Sequence, residues 1–418
     1  MSTKDCGRGS IGIIGAGIVG VSVALTLQRE GWDVTIIDGL PPGSGASFGN
    51  QCMISPDLCV PMSIPGMLRK VPRWLSDPLG PLAIKPSYFP RVAPWLLEWS
   101  RAGRFDRVLA RSDAMRSLHN GAFDAYRELL GAREFSKHIR TEGQVCYWEG
   151  KEPPEEQPVQ DVLWERHGVV AEDLPLEDLY HYVPSLTRDV SKAIILPKNG
   201  HTTNPQRLVL KIAQLFEEAG GTIKQENVLK IIPESEGYRL VTGIANHRFS
   251  QVVVAAGAWS QRLLAPLGYR LPLETERGYH VTIEHPNVEL PTVPILCLNR
   301  PAGISPLDGS IRATGSIEFA GLDAPMNEKR ADVQIRRTEQ MLPGLKIKDY
   351  SIWMGHRPSF PDNLPVIDRA PNHRGLFFAF GHSHSGMTSA PATGRHIAAL
   401  IGGRESHINL APFSASRF

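Results

Sequence analysis

Three groups of residues in this chain are of types and spacings that do chemistry. The first is Gly15-x-Gly17-x-x-Gly20, followed about 20 residues on by Asp38. Three glycines at this spacing let a strand turn sharply into a helix, let backbone approach a pyrophosphate and let helix and strand pack closely. The acid is then placed to accept hydrogen bonds from a ribose. The second is Arg357, in "GHRP", whose planar guanidinium suits a two-point grip on a carboxylate. The third is "FGHSHSGMTSAP", residues 380–391, with His382 and His384 one residue apart. His-x-His on a strand would put both rings on one face, a metal-binding arrangement. No Asp, Glu or further His stands beside them at ligand spacing, so no metal is assigned. A catalytic base and a backbone-shaping role stay open. Pro391 belongs in the first turn of a helix, which predicts a helix start near Thr388–Ser389.

The elements around these residues give them context. "IGIIGAG" reads as a buried strand, "IVGVSVALTLQREG" as an amphipathic helix stopped at Gly31, and "WDVTIID" as a second strand ending on Asp38. That is a βαβ unit opening a parallel sheet. "LVLKIAQLFEEAGG" (208–221) is a further helix, "VVVAAGAWS" (252–260) a strand ending in a glycine turn at Gly257, and "LFFAFG" a strand feeding the last helix. Residues 270–325 alternate in the manner of antiparallel strands, and residues 105–131 are helical by pattern. Dinucleotide-type pieces therefore lie at both ends and in the middle of the chain, which predicts one domain built from discontinuous segments with another inserted. The dinucleotide is NAD or FAD. The glycine- and serine-rich loop "GSGASFGNQCMISP" suits backbone contact with more of the cofactor.

The bulk properties narrow the function further. The chain has 418 residues and a net charge of +2, too weak a field to suggest nucleic acid. Its five cysteines are scattered, with no CxxC pair, so a reducing, cytoplasmic setting is expected. The run from Ile11 to Leu27 holds four glycines and is short for a membrane span. "MSTKDCGRGS" reads as a polar tail and "EGKEPPEEQP" as a charged, proline-rich connection. The basic, Trp-rich stretch 66–104, with Lys70, Arg73, Trp74, Trp95 and Trp99, reads first as helices covering the inserted domain. Its sharper reading is a patch on the inner face of a membrane where reduced flavin could meet a quinone.

Taken with "SFGNQCMISP", "LAIKPSYFP", "ERGYHVT" and "GHRPSFPDNLPVID", these motifs resemble the glycine oxidase/D-amino-acid oxidase (DAO) family of FAD enzymes, and within it the bacterial D-amino-acid dehydrogenases. The resemblance implies an α/β fold: a Rossmann-like FAD-binding domain (1–60, 200–262 and 346–418) and an α+β substrate domain (61–199 and 263–345) with a large antiparallel sheet. It implies FAD, held noncovalently because Gly355 stands where related enzymes carry a flavin-attaching cysteine. Gly15, Gly17, Gly20 and Asp38 match the adenosine diphosphate site, Ser47 and Asn50 the loop beside the flavin, and Gly257 the second glycine turn. Val228, Gly381, Gly386, Met387 and Thr388 complete the cofactor set, with the last helix turned toward the flavin's pyrimidine end. Arg357 matches the carboxylate-binding arginine and Tyr279 a pocket tyrosine, and His384 joins them as the third catalytic candidate. The implied reaction is oxidative deamination of a D-amino acid by Cα hydride transfer to flavin N5, with electrons passing to a quinone, an electron-transfer protein or another non-oxygen acceptor. The alternative substrate is a cyclic or secondary amino acid such as D-hydroxyproline or sarcosine. Where the family's dehydrogenases read Asn-Ala-Gly-Gln, this chain reads Asn50-Gln51-Cys52-Met53.

Overall fold

A computed structural model describes residues 9–77, 79–151, 157–300 and 302–418; Cys6, most of the N-terminal tail and half of the proline-rich connection lie outside the described residues. The motif-bearing strands form a six-stranded sheet. Its order is Thr222–Gln225, Asp33–Asp38, Ser10–Ile14, Gln251–Val254, Leu376–Phe380 and Val366–Arg369. All neighbours are parallel except the last pair. The four central strands read as largely apolar runs because both faces are covered. Ile11, Ile13, Val34 and Ile36 pack on helices Ile18–Arg29, Pro205–Glu218 and Gly386–Ile401. Ile14, Ile37, Val252 and Val254 face the other way, onto the small sheet that spans residues 228–249.

The second large sheet has nine strands. From one edge it runs Tyr350–Ser359, Glu274–Glu284, Ser310–Phe319, Ala302–Leu307, Ile295–Cys297, Gln144–Glu149, Val190–Leu196 and Glu172–Asp173, with Leu82–Ile84 paired to Ser310–Phe319. It is antiparallel apart from two parallel pairings, 295–297 with 144–149 and 82–84 with 310–319. Strand 350–359 belongs to this sheet, so a boundary at residue 346 falls on the wrong side of it. Residues 114–139 also depart from the sequence division: Met115, Tyr126, Leu129 and Phe135 pack in the core beneath the first sheet. Neither boundary is marked by a composition change, because strand 350–359 and these helices pack on both units.

The last helix begins at Gly386, earlier than its proline predicts, and Pro391 lies inside it. An interior proline leaves the carbonyl four residues back without its amide donor, here Met387, and costs about 3 kcal/mol. The buried Tyr126 supplies the missing donor: its hydroxyl donates to the Met387 carbonyl at 2.5 Å. Tyr126→Phe is therefore expected to destabilise the fold by about 1–2 kcal/mol, read as a lower Tm; an unchanged Tm would remove this compensation.

The basic stretch divides in the structure. Trp95 is buried against Phe319, and half-buried Trp99 packs beside it, so the two tryptophans belong first to the core of this unit. Helix Met67–Ser76 buries no side chain and exposes Leu68 and Leu75 beside Arg69 and Arg73. Among the described residues no helix is long and apolar enough to cross a membrane.

Candidate active site

A cavity of about 1050 Å³ runs from the first glycine turn, between the two sheets, to Arg357. At its outer end Gly15 has φ +113°, and a Cβ there would lie 2.3 Å from the Ala255 carbonyl oxygen. A Cβ on Gly20 would lie 1.9 Å from the Gly15 carbonyl oxygen, so helix 18–29 can close on the strand only through glycine. Asp38 accepts from the Ala16 amide at 2.7 Å and the Leu40 amide at 2.9 Å. It thus braces the turn as well as lining the cavity. Ser47 accepts from the Ile18 amide at 2.9 Å, tying the serine loop to the helix start.

Gly15, Gly17, Asp38, Ser47, Asn50, Val228, Gly257, Gly381, Gly386, Met387 and Thr388 line this one cavity, with Arg357 and His384 at its inner end. Gly20 lies beneath it. Tyr279 does not reach it, and its sequence assignment is corrected here. Side chains alternate along a strand, so Gly278 lines the cavity and Tyr279 faces the opposite side. There its buried hydroxyl donates to Glu318 at 2.6 Å and accepts from the Asn327 amide.

Two residues of the adjacent strand lie beside Arg357. A Cβ on Gly278 would meet its guanidinium at 2.3 Å, and Glu276 is its cross-strand partner. Burial pulls the Arg357 pKa below its ordinary value, while the Glu276 charge acts to raise it. Its Nη1 is buried with no protein partner, as is Asn50 Oδ1. Orphaned polar atoms of this kind fit ligand groups: a substrate anion at the arginine, and a cofactor edge at the asparagine. The helix start approaches Arg357 because loop and strand are joined. Ser359 and His382 form a bridge, and the Ser383 amide donates to the Pro358 carbonyl at 2.9 Å.

Several site residues escaped sequence reading. Buried Arg312 donates to the Phe48 and Asn50 carbonyls at 2.7 and 2.9 Å, fixing the loop that reaches the cavity. Trp353 lines the cavity and stacks on His280 at 5.0 Å. Gly49 and Gly355 make room for its ring: added Cβ atoms would stand 1.7 and 1.8 Å from it. The signal available was the pairing of isolated charges with glycine in otherwise apolar strands. Cys52 has φ +69°, a left-handed conformation costing a non-glycine residue about 1–2 kcal/mol. It stands at the position where the sequence departs from the family's glycine.

His382 is buried, and its Nε2 lies 3.0 Å from Thr393 Oγ1, which leaves it a packing role. Among the described residues no three His, Cys, Asp or Glu side chains gather as a metal site. Burial pushes His280 and His382 down to about 3, and His119, His201, His356 and His396 down to about 4. An unfolded histidine titrates near 6.5, so below that pH the unfolded chain binds protons that the folded chain refuses. Stability is then lost as pH falls from about 6.5 towards 4. Tm at pH 5 is expected to lie below Tm at pH 7, and a flat Tm over that range would contradict the burial of these rings.

Comparison with known proteins settles the family. The model of the DAO family, described as FAD dependent oxidoreductase, matches residues 10–400. This chain belongs to the DAO family. It is 35% identical to a D-amino-acid oxidase of Bradyrhizobium diazoefficiens over 98% of both chains. Its fold is similar to glycine oxidase from Geobacillus kaustophilus, with a TM-score of 0.72, 22% identity and coverage of 98% of this chain and 99% of that one. It is also similar to iminodiacetate oxidase from Chelativorans sp. BNC1, with a TM-score of 0.70, 20% identity and coverage of 97% and 98%. As a DAO-family enzyme it is an FAD-dependent oxidoreductase. The glycine cradle, the orphaned Asn50 oxygen and the helix start fit that cofactor.

Proposed function

We propose that this enzyme oxidises the Cα–N bond of a D-amino acid to an imine, which water hydrolyses to a 2-oxo acid and ammonia. The observation that carries this reading is Arg357: a guanidinium in the cavity wall, opposite Glu276 in the strand register, with one buried nitrogen lacking a protein partner. A two-point grip on a substrate carboxylate fixes both position and rotation about Cα. Bound FAD supplies a two-electron acceptor, N5, for the Cα hydride. The first-turn amides of helix 386–401 have no partners within the helix. Together with the helix's positive end they favour the negative charge that arises during reduction. Trp353, backed by the Phe48 ring, walls the substrate end and helps exclude water from it. Handedness is carried over from the D-amino-acid oxidase relative.

Two observations favour different electron acceptors. The exposed apolar and basic helix 67–76 suits a membrane-borne quinone. The 35% identity to a protein named as an oxidase favours oxygen. The test is to supply purified enzyme with D- and L-amino acids and measure 2-oxo acid and peroxide, with and without a soluble quinone. D-substrates are expected to give 2-oxo acid. Equal amounts of peroxide would assign oxygen as acceptor, and turnover only with the quinone would assign the other. If no amino acid of either hand yields a 2-oxo acid, the reading is wrong.

A further inference from the structure

The pairing of His384 with Glu276 has no part in the hydride step described above. His384 Nε2 lies 2.8 Å from Glu276 Oε2. The glutamate side chain is 5% exposed and the histidine 32% exposed, with His384 in the cavity wall. Glu276 stands opposite Arg357 across the strand pair, so the carboxylate that bonds the imidazole also sets its charge against the arginine. Burial acts to raise the Glu276 pKa, but the hydrogen bond from His384 and the Arg357 charge act against it, and it is left lowered. An ionised Glu276 only accepts hydrogen bonds. The His384 proton therefore sits on Nε2, and Nδ1 carries the lone pair. Nδ1 has no hydrogen-bond partner among the described residues.

We propose that His384 Nδ1 is the base that takes the proton from the substrate ammonium, and that Glu276 is the positioning residue that fixes its tautomer. The inference rests on the amino-acid substrate reading above. At neutral pH a free amino acid carries –NH₃⁺, whose nitrogen has no lone pair to push out a hydride. Transfer of one proton to Nδ1 gives the neutral amine and an imidazolium paired with Glu276. The nitrogen lone pair then forms the C=N bond as the Cα–H bond breaks, and its two electrons leave as hydride to FAD. The product is the iminium, and the imidazolium later returns its proton to solvent. The ionisable groups around the pair are Glu274 on strand 274–284, Arg357 and His356 on strand 350–359, and His382 on the same loop. His382 and His356 are held neutral by burial, which leaves His384 as the ring beside a carboxylate.

The test is anaerobic flavin bleaching of the holoenzyme by its best amino acid between pH 6 and pH 10. For His384→Asn the bleaching rate at pH 7 is expected to fall at least about 30-fold, within the range of general-base contributions. It should then climb about tenfold per pH unit towards the amine's own pKa, as solution supplies the neutral amine. The wild type should change far less over that range. Glu276→Gln offers an amide that can donate to Nε2 and reverse the tautomer, so it should lower the bleaching rate at saturating substrate and shift its pH profile towards that of His384→Asn. Acetate, which has a carboxylate and no amine, should perturb the flavin spectrum of His384→Asn as it does the wild type. A wild-type pH profile in His384→Asn, or loss of acetate binding equal to its loss of rate, overturns the proposal. If Glu276→Gln loses FAD, the His384→Asn profile decides alone. A wild-type enzyme that no amino acid bleaches overturns the substrate reading, and this inference with it.

Discussion

Arg357→Ala is expected to lower kcat/KM by about 100- to 4000-fold, chiefly through KM, while the protein keeps its flavin. The magnitude follows from removing one member of a desolvated, charge-assisted pair, which costs about 3–5 kcal/mol, at about 1.4 kcal/mol per factor of ten. Two losses combine. The substrate carboxylate loses its two-point grip, and Glu276, almost wholly buried, loses its cross-strand cation. The second loss predicts that Arg357→Lys recovers only part of the activity, because an ammonium restores charge and not the planar fork. FAD is retained because the dinucleotide turn belongs to the other sheet. Steady-state kinetics and the visible spectrum check both halves. An unchanged KM would take Arg357 out of the substrate site.

Gly20→Ala is expected to abolish stable FAD binding, raising Kd by more than about 100-fold, although it adds one methyl group. The new Cβ would stand 1.9 Å from the Gly15 carbonyl oxygen. Both are backbone-fixed, so no rotamer relieves the clash. Helix 18–29 must lift from strand 10–14, which moves the amides of the turn and the brace from Asp38 to Ala16. A pyrophosphate depends on those amides being in register. Gly243→Ala is the matched control: nothing lies within 4 Å of a Cβ there, and its flavin content should be normal. Purified Gly20→Ala with full flavin content would show that the turn tolerates a side chain.

The two halves of the site differ in how much of them could be read from sequence. The dinucleotide half is local: Gly15, Gly17, Gly20 and Asp38 lie within one βαβ unit, so spacing along the chain mirrors spacing in the fold. The substrate half is assembled across strands. Glu276 meets Arg357 and His384 only through antiparallel register and the Ser359–His382 bridge, neither of which leaves a mark in composition. Tyr279 matches a pocket tyrosine of the family by motif, but strand alternation turns it away from the cavity. The helix start was misjudged for a related reason: Pro391 is locally a breaker, and its compensation comes from Tyr126, 261 residues from the carbonyl it serves. Trp353 was passed over because an isolated tryptophan carries no spacing signal, while the glycines that accommodate it, Gly49 and Gly355, lie far apart in the chain.

The most direct test of the central claim is anaerobic titration of the purified holoenzyme with single amino acids of each hand, watching the yellow flavin band. A D-amino acid should bleach the band completely in a one-to-one titration, its L-enantiomer should leave it, and Arg357→Ala should need far more of the same substrate. If dithionite bleaches the flavin and no amino acid does, Arg357 does not hold a substrate carboxylate at this flavin, and the proposed function is wrong.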